Sequence, residues 1–186
     1  MAQQAQQFAL RTLAHFDTLE VRLCRHLNRQ VRHRRVHRFF ALVSRLGDGV
    51  FWYGLMILLA LAPATGSLPA ALQMGLTSLA GVLVYKALKT TLVRERPYVG
   101  SRIIHCALGP LDRYSFPSGH TLQAVLFTTV ALAWFPLLAL LLVPMTGLIA
   151  LSRVILGLHY PSDVLCGALI GWGLASLSLW LYPVGI

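Results

Sequence analysis

The sequence predicts an all-α, polytopic membrane bundle: five spans plus an N-terminal amphipathic helix that is a possible sixth element. Three observations carry this prediction. The 186 residues are 56% hydrophobic and only 12% charged, about half the charged share of a soluble domain. The apolar residues gather into long blocks instead of alternating. Aromatic residues fall near the block ends (Trp52, Tyr53, Tyr85, Trp134, Trp180 and Tyr182), where amphipathic rings suit a headgroup region.

Taken in order, residues 5–32 read as an amphipathic helix. Leu13, Phe16, Leu19, Leu23, Leu27 and Val31 recur at three- and four-residue steps, with Arg22, Arg25, Arg29 and Arg32 largely on other faces. Such a helix is suited to lie in the interface, drawn to anionic headgroups. The basic run from Arg29 to Arg38 lacks the interleaved aromatics that stack bases, so no nucleic-acid partner is expected. Spans follow at 49–64, 68–88, 119–135, 137–152 and 164–182, each close to the roughly 20 residues that cross a hydrocarbon core, the first being short. Asp48, with Arg45 nearby, interrupts an apolar run that begins at Phe39. Gly167 and Gly171 in the last span form a small-xxx-small pair suited to close helix packing.

The chain divides into a basic N-terminal region, 1–45, and a transmembrane domain, 46–186. The N-terminus has no continuous apolar core and no small-residue cleavage site, so it does not read as a secretory signal. Cys24, Cys106 and Cys166 lack metal or redox spacing and read as ordinary apolar residues.

The connections are unequal. Those near Thr65–Ser67 and Pro136 are tight and uncharged, whereas 89–117 is long and polar and 157–162 is short and unusual. Alternating the spans places the basic N-terminus and both polar connections on one side, with all sixteen Lys and Arg residues. The positive-inside rule makes that side cytoplasmic.

Three polar clusters meet there: "KTTLVRERP" with Lys89 and Arg96-Pro97, "FPSGH" ending at His120, and "SRVILGLHYPSD" with Arg153, His159 and Asp163. Taken singly, these residues read as span flanks and helix caps. Together, ionisable groups at membrane depth indicate a site. Three cations brought together call for an anion, and arginine forks match phosphate oxygens. Ser118 and Gly119 open a helix whose N–H groups and dipole favour the same ligand. Asp163, four residues after His159, can fix one ring nitrogen and leave the other free to attack, while a second histidine protonates the departing alkoxide. The six acidic residues are scattered along the chain, so neither a metal nor another cofactor is implied. His15, His26, His33, His37 and His105 lack comparable context.

These clusters resemble the three-part signature of the type 2 phosphatidic acid phosphatase superfamily, which includes lipid phosphate phosphatases and the vanadium haloperoxidases. The resemblance runs from about residue 45 to the C-terminus. It implies a helical bundle and a covalent phosphohistidine intermediate, with His159 as nucleophile, Asp163 as its partner and His120 as general acid. Lys89, Arg96, Ser118, Gly119 and Arg153 would hold the phosphate. The expected activity is metal-independent hydrolysis of a phosphate monoester or pyrophosphate on a membrane lipid: phosphatidate, phosphatidylglycerophosphate or undecaprenyl pyrophosphate. A lipid-to-lipid phosphotransferase using the same site is the alternative. Haloperoxidase relatives are soluble and larger, which disfavours vanadate as the ligand. The expected setting is a bacterial inner membrane. The charge bias puts the site on the cytoplasmic face, and the family's membrane members imply the opposite face.

Overall fold

The computed structural model describes residues 17–110 and 112–184, and every regular element among them is helical. Residues 17–28 form α1. A 3-10 turn, Arg29–Arg32, leads to α2 (Arg34–Arg45), a π-helical turn (Leu46–Val50) and α3 (Phe51–Leu61). There follow α4 (Ser67–Thr91), the single turn α5 (Pro97–Gly100), α6 (Gly119–Trp134), α7 (Ala139–Ile155) and α8 (Pro161–Leu181).

Among the described residues, four stretches are long and apolar enough to cross a bilayer: Arg34–Leu61, Ser67–Thr91, Pro136–Ile155 and Pro161–Leu181. The first differs from the expected span at 49–64. α2 and α3 follow one another across a kink in Leu46–Val50, beside the interruption expected at Asp48, so that the apolar stretch begins before the kink. The kink is at Gly49, whose φ of +132° is outside the helical region and is a conformation that side chains with a Cβ rarely take.

α6 is shorter, 16 residues, or about 24 Å at the helical rise. It is the centre of the bundle, packed against α4, α7 and α8. Its polar residues face those neighbours: Gln123 Nε2 donates to Ser78 O at 3.1 Å, and the Thr128 and Thr146 hydroxyls meet at 2.6 Å. On α8, a Cβ at Gly167 would stand 2.6 Å from Ser118 O, and one at Gly171 would stand 2.2 Å from Leu122 O. The small pair therefore lets α8 lie directly on the α6 backbone.

Trp52 does not anchor at a headgroup layer. It is fully buried and stacks on Phe127, ring centroids 5.1 Å apart, amid Met74, Leu122, Leu126 and Ile149. Trp180 and Tyr182 are exposed at the far end, as expected of interface aromatics. There Gln73 accepts from Trp134 Nε1 at 2.7 Å and donates to Ser178 O and Tyr182 O at 3.1 Å, tying α4, α6 and α8. Leu58, Leu72, Leu76, Leu140 and Leu165 point outward, as lipid-facing side chains do.

The N-terminal helix packs on the bundle through a face that the leucine stripe did not indicate. Leu19 and Leu23 are exposed, whereas Cys24 and Asn28 are buried against the rest of the chain. Leu13 and Phe16 lie outside the described residues. Asn28 Nδ2 donates to His105 O at 3.0 Å and Ile155 O at 2.9 Å, and its Oδ1 accepts the His105 N–H at 2.8 Å. Cys24 packs on Ile104 and Val154. Burial, with Glu20 nearby, pushes its thiol up to about 12, so it is a neutral packing group.

Candidate active site

The ends of four helices meet at one end of the bundle. Lys89 is in the last turn of α4 and Arg153 in the last turn of α7, while His120 is in the first turn of α6 and Asp163 in the first turn of α8. Arg96 sits in the extended conformation that a following proline favours (φ −77°, ψ 154°), which throws its side chain back towards the bundle. Gly157, at φ +75°, closes the α7–α8 link so tightly that a Cβ would stand 2.6 Å from His105 O. That turn delivers His159 to the same place.

The result is a cavity of about 190 Å³ whose wall includes Lys89, Arg96, Gly119, His120, Arg153 and His159. Lys89, Arg96 and Arg153 are only 6%, 1% and 3% exposed. Lys89 Nζ donates to Asp112 Oδ2 at 2.7 Å and Tyr114 O at 3.2 Å. Arg96 donates from Nε to Asp112 O at 3.0 Å and from Nη1 to Leu158 O at 2.7 Å, and Nη1 lies 3.4 Å from His159 Nε2. Arg153 Nη1 donates to Ser44 Oγ, and its Nε is buried without a hydrogen-bond partner. One carboxylate, Asp112, pairs with Lys89, while the two guanidiniums have only carbonyl, imidazole and hydroxyl partners in the cavity. Buried positive charge of this density is stabilised by an anion.

His159 is 1% exposed. Burial, then the charges of Arg153, Arg96 and Lys89, hold its imidazole well below its ordinary 6.5, so the ring is neutral at pH 7. Nε2 points at the cations, and Nδ1 faces Asp163 Oδ2 across 3.7 Å, longer than a hydrogen bond. His120 Nε2 contacts Asp48 Oδ1. For Asp112, burial raises the carboxyl pKa, but the hydrogen bond and charge of Lys89, with Arg96, outweigh it and hold the group ionised.

Two of the expected residues are not at the cavity wall. Ser118 is fully buried. Its N–H donates to Asp163 O at 3.0 Å and its hydroxyl meets Thr121 Oγ1 at 3.0 Å, so it joins α6 to α8 and has no free amide for a ligand. Gly119 does line the cavity, and the first turn of α6 has no side-chain cap, which leaves its amides available to an anion. Asp163 is fully buried behind His159 and takes the Tyr160 N–H at 2.8 Å and Arg94 Nη1 at 2.7 Å.

Sequence reasoning missed Asp48, Asp112, Arg94 and Glu20. The available signal was scarcity. With six acids against sixteen basic residues, each acid invites a search for its cation. Five of the six are engaged here: Asp112 with Lys89, Asp48 with His120, and Asp163, Glu20 and, at 3.9 Å, Asp17 with Arg94. Scattered in sequence, they gather in space. Among the described residues no three metal-ligating side chains converge.

The model of the PAP2 superfamily matches residues 70–185. Phosphatidylglycerophosphatase B of Escherichia coli strain K12 is 39% identical over 74 residues, covering 37% of this chain and 29% of that protein. Decaprenylphosphoryl-5-phosphoribose phosphatase of Mycolicibacterium smegmatis is 40% identical over 84 residues, covering 43% of this chain and 42% of that protein. The chain thus spans less than half the length of these curated relatives. Among solved structures, LpxE of Aquifex aeolicus aligns with TM-score 0.76 and 29% identity, covering 87% of this chain and 95% of that one. A transmembrane PAP2 type phosphatidylglycerolphosphate phosphatase from Bacillus subtilis aligns with TM-score 0.67 and 19% identity over 90% of this chain and 86% of that one, a likeness of fold.

Proposed function

The chain belongs to the PAP2 superfamily and is an integral membrane protein, and we propose that it is a lipid phosphatase working through a phosphohistidine. One observation carries the reading: a neutral, buried histidine whose Nε2 faces two arginines and a lysine in a cavity large enough for a phosphate group.

In this reading the phosphate of a lipid enters among Lys89, Arg96, Arg153 and the first-turn amides of α6, with its tail in the bilayer. His159 Nε2 attacks phosphorus and the P–O bond to the lipid breaks. His120 gives its proton to the departing oxygen, and Asp48 holds the His120 ring. The cations stabilise the charge that spreads over the equatorial oxygens. Asp163 steadies the imidazolium character that develops on His159. Water, deprotonated by the now neutral His120, then attacks phosphorus, breaking the P–N bond and releasing inorganic phosphate. Ser118 contributes by holding α6 against α8, and Gly119 by its exposed amide edge. Transfer to a lipid alcohol in place of water is the second reading, since only the acceptor differs.

The named relatives support a phosphomonoester on a glycerophospholipid or a polyprenyl carrier as substrate. A bacterial inner membrane is the proposed location. The charge asymmetry favours a cytoplasmic site. The test is phosphate release by purified protein in detergent with EDTA, from phosphatidate, phosphatidylglycerophosphate and undecaprenyl pyrophosphate. Release that survives EDTA and disappears in His159→Ala is the expected result. Full activity in His159→Ala, or release that needs an added lipid alcohol, overturns the hydrolase.

A further inference from the structure

Arg94 lies two residues before Arg96, yet its side chain leaves the cavity and runs behind His159. Its Nη1 donates to Asp163 Oδ1 and to Ser162 Oγ, both at 2.7 Å, and its Nη2 donates to Glu20 Oε2 at 2.7 Å. The guanidinium also lies over the Tyr160 ring, 4.1 Å from its centroid. The other oxygen of Glu20 accepts the Ser162 N–H at 2.8 Å. One carboxylate of α1 is therefore fastened both to the first turn of α8 and to the arginine that holds Asp163.

The geometry is more than a device for docking α1. Asp163 is fully buried, and both its oxygens are engaged: Oδ1 by Arg94 and Oδ2 by the Tyr160 N–H. A carboxylate gripped at both ends cannot rotate, so its grip decides which oxygen faces His159 Nδ1. The cations on the cavity side of His159 are engaged elsewhere, Lys89 with Asp112, Arg96 with the Asp112 and Leu158 carbonyls and Arg153 with Ser44, and the cation on Asp163 is Arg94. Asn28 reinforces the arrangement by clamping Ile155, at the end of α7, to His105 in the connection between α5 and α6. Glu20 lies fifty residues before the stretch that matches the superfamily.

We propose that Arg94, braced by Glu20 of the N-terminal helix, is a positioning residue: it fixes the Asp163 carboxylate towards His159 Nδ1 and so sets the ring orientation from which Nε2 reacts. The inference rests on the reaction proposed above. It also makes α1 part of the working site.

The test compares full-length wild-type protein with Arg94→Gln, Arg94→Lys, Glu20→Gln and the Arg94→Gln/Glu20→Gln double variant. Phosphate release is measured from phosphatidate micelles, with circular dichroism melting as a check of folding. Arg94→Gln is expected to lower kcat about tenfold to a hundredfold, the range for groups that orient a reacting ligand, with KM changed by no more than about twofold. Arg94→Lys recovers part of the rate. Glu20→Gln loses less, and adds nothing once Arg94 is replaced, because it acts through Arg94. Nitrogen-15 spectra of the histidine rings provide a readout that needs no turnover. The His159 signal, identified by its loss in His159→Ala, is expected to move in Arg94→Gln and Glu20→Gln. Should Arg94→Gln fail to fold, Arg94→Lys and Glu20→Gln carry the comparison. An unmoved ring signal, an unchanged kcat or a loss confined to KM overturns the proposal. Absence of phosphate release from wild-type protein would remove the proposed reaction instead, and the ring spectra would still decide what Arg94 does.

Discussion

Replacing Gly171 with alanine puts the α6–α8 contact to a direct test. The new Cβ would stand 2.2 Å from Leu122 O, and ordinary contact begins near 3.4 Å, so the helices must part by about 1.2 Å (3.4 − 2.2). The obstacle is backbone, which cannot swing aside as a side chain can. Overpacking of this kind costs about 1–3 kcal/mol, set against the ~1 kcal/mol that alanine gains over glycine in a helix. The displacement reaches the site because the Ser118 N–H to Asp163 O bond, 3.0 Å, lies one to two turns away in the same interface. An error near 1 Å in a reacting group costs about a hundredfold in rate. Gly173→Ala is the control, since nothing lies within 4 Å of a Cβ there. The assay is thermal unfolding in detergent with phosphate release from phosphatidate. Gly171→Ala should melt below wild type and lose ten- to a hundredfold in kcat, while Gly173→Ala should match or exceed wild type. Equal melting and equal turnover in the two variants would refute the packing argument.

Acidity acts through His159. Its folded pKa is depressed, so between its ordinary 6.5 and the lower folded value the unfolded chain binds a proton that the native chain does not. Its contribution to stability is complete above pH 6.5 and is lost as pH falls below, visible as a melting temperature that drops between pH 7.5 and 5 and drops less in His159→Gln. For the same reason the acid limb of kcat/KM should fall below pH 6.5; a limb at or above that value would mean that the ring is not buried among cations. Orientation can be read from Cys106, an exposed thiol in the site-side loop, where Cys24 is buried and Cys166 half-buried. A membrane-impermeant maleimide is expected to label Cys106 in inverted vesicles and spare it in right-side-out ones; the reverse pattern would place the site on the outer face.

Much of the bundle was legible because lipid makes span formation a local property. Every backbone amide in hydrocarbon must be satisfied within its own helix, so α4, α7 and α8 lie close to the apolar blocks 68–88, 137–152 and 164–182. The cations and histidines were legible for a related reason: ionisable groups stand out at the ends of such blocks, and Lys89, His120, Arg153 and His159 do come together. Asp48 was legible only in part. In sequence it read as a break, and in space it lies at the kink between α2 and α3 and is also the partner of His120, which the sequence did not show.

What the tertiary structure alone decided is which face of each span turns inward and which acid meets which cation. Spans that are apolar all round carry no stripe to orient them, so the burial of Trp52 and of Ser118 had no local signature. Nor does a contact between residues 23, 72 or 74 positions apart, as in Lys89–Asp112, Asp48–His120 and Glu20–Arg94. Charge pairing depends on distance in space, and packing sets that distance through contacts such as α8 resting on the α6 backbone at Gly167 and Gly171. Composition and spacing determined that this chain crosses a membrane and gathers cations with two histidines at one face. Only the fold could supply the carboxylates that hold them in place.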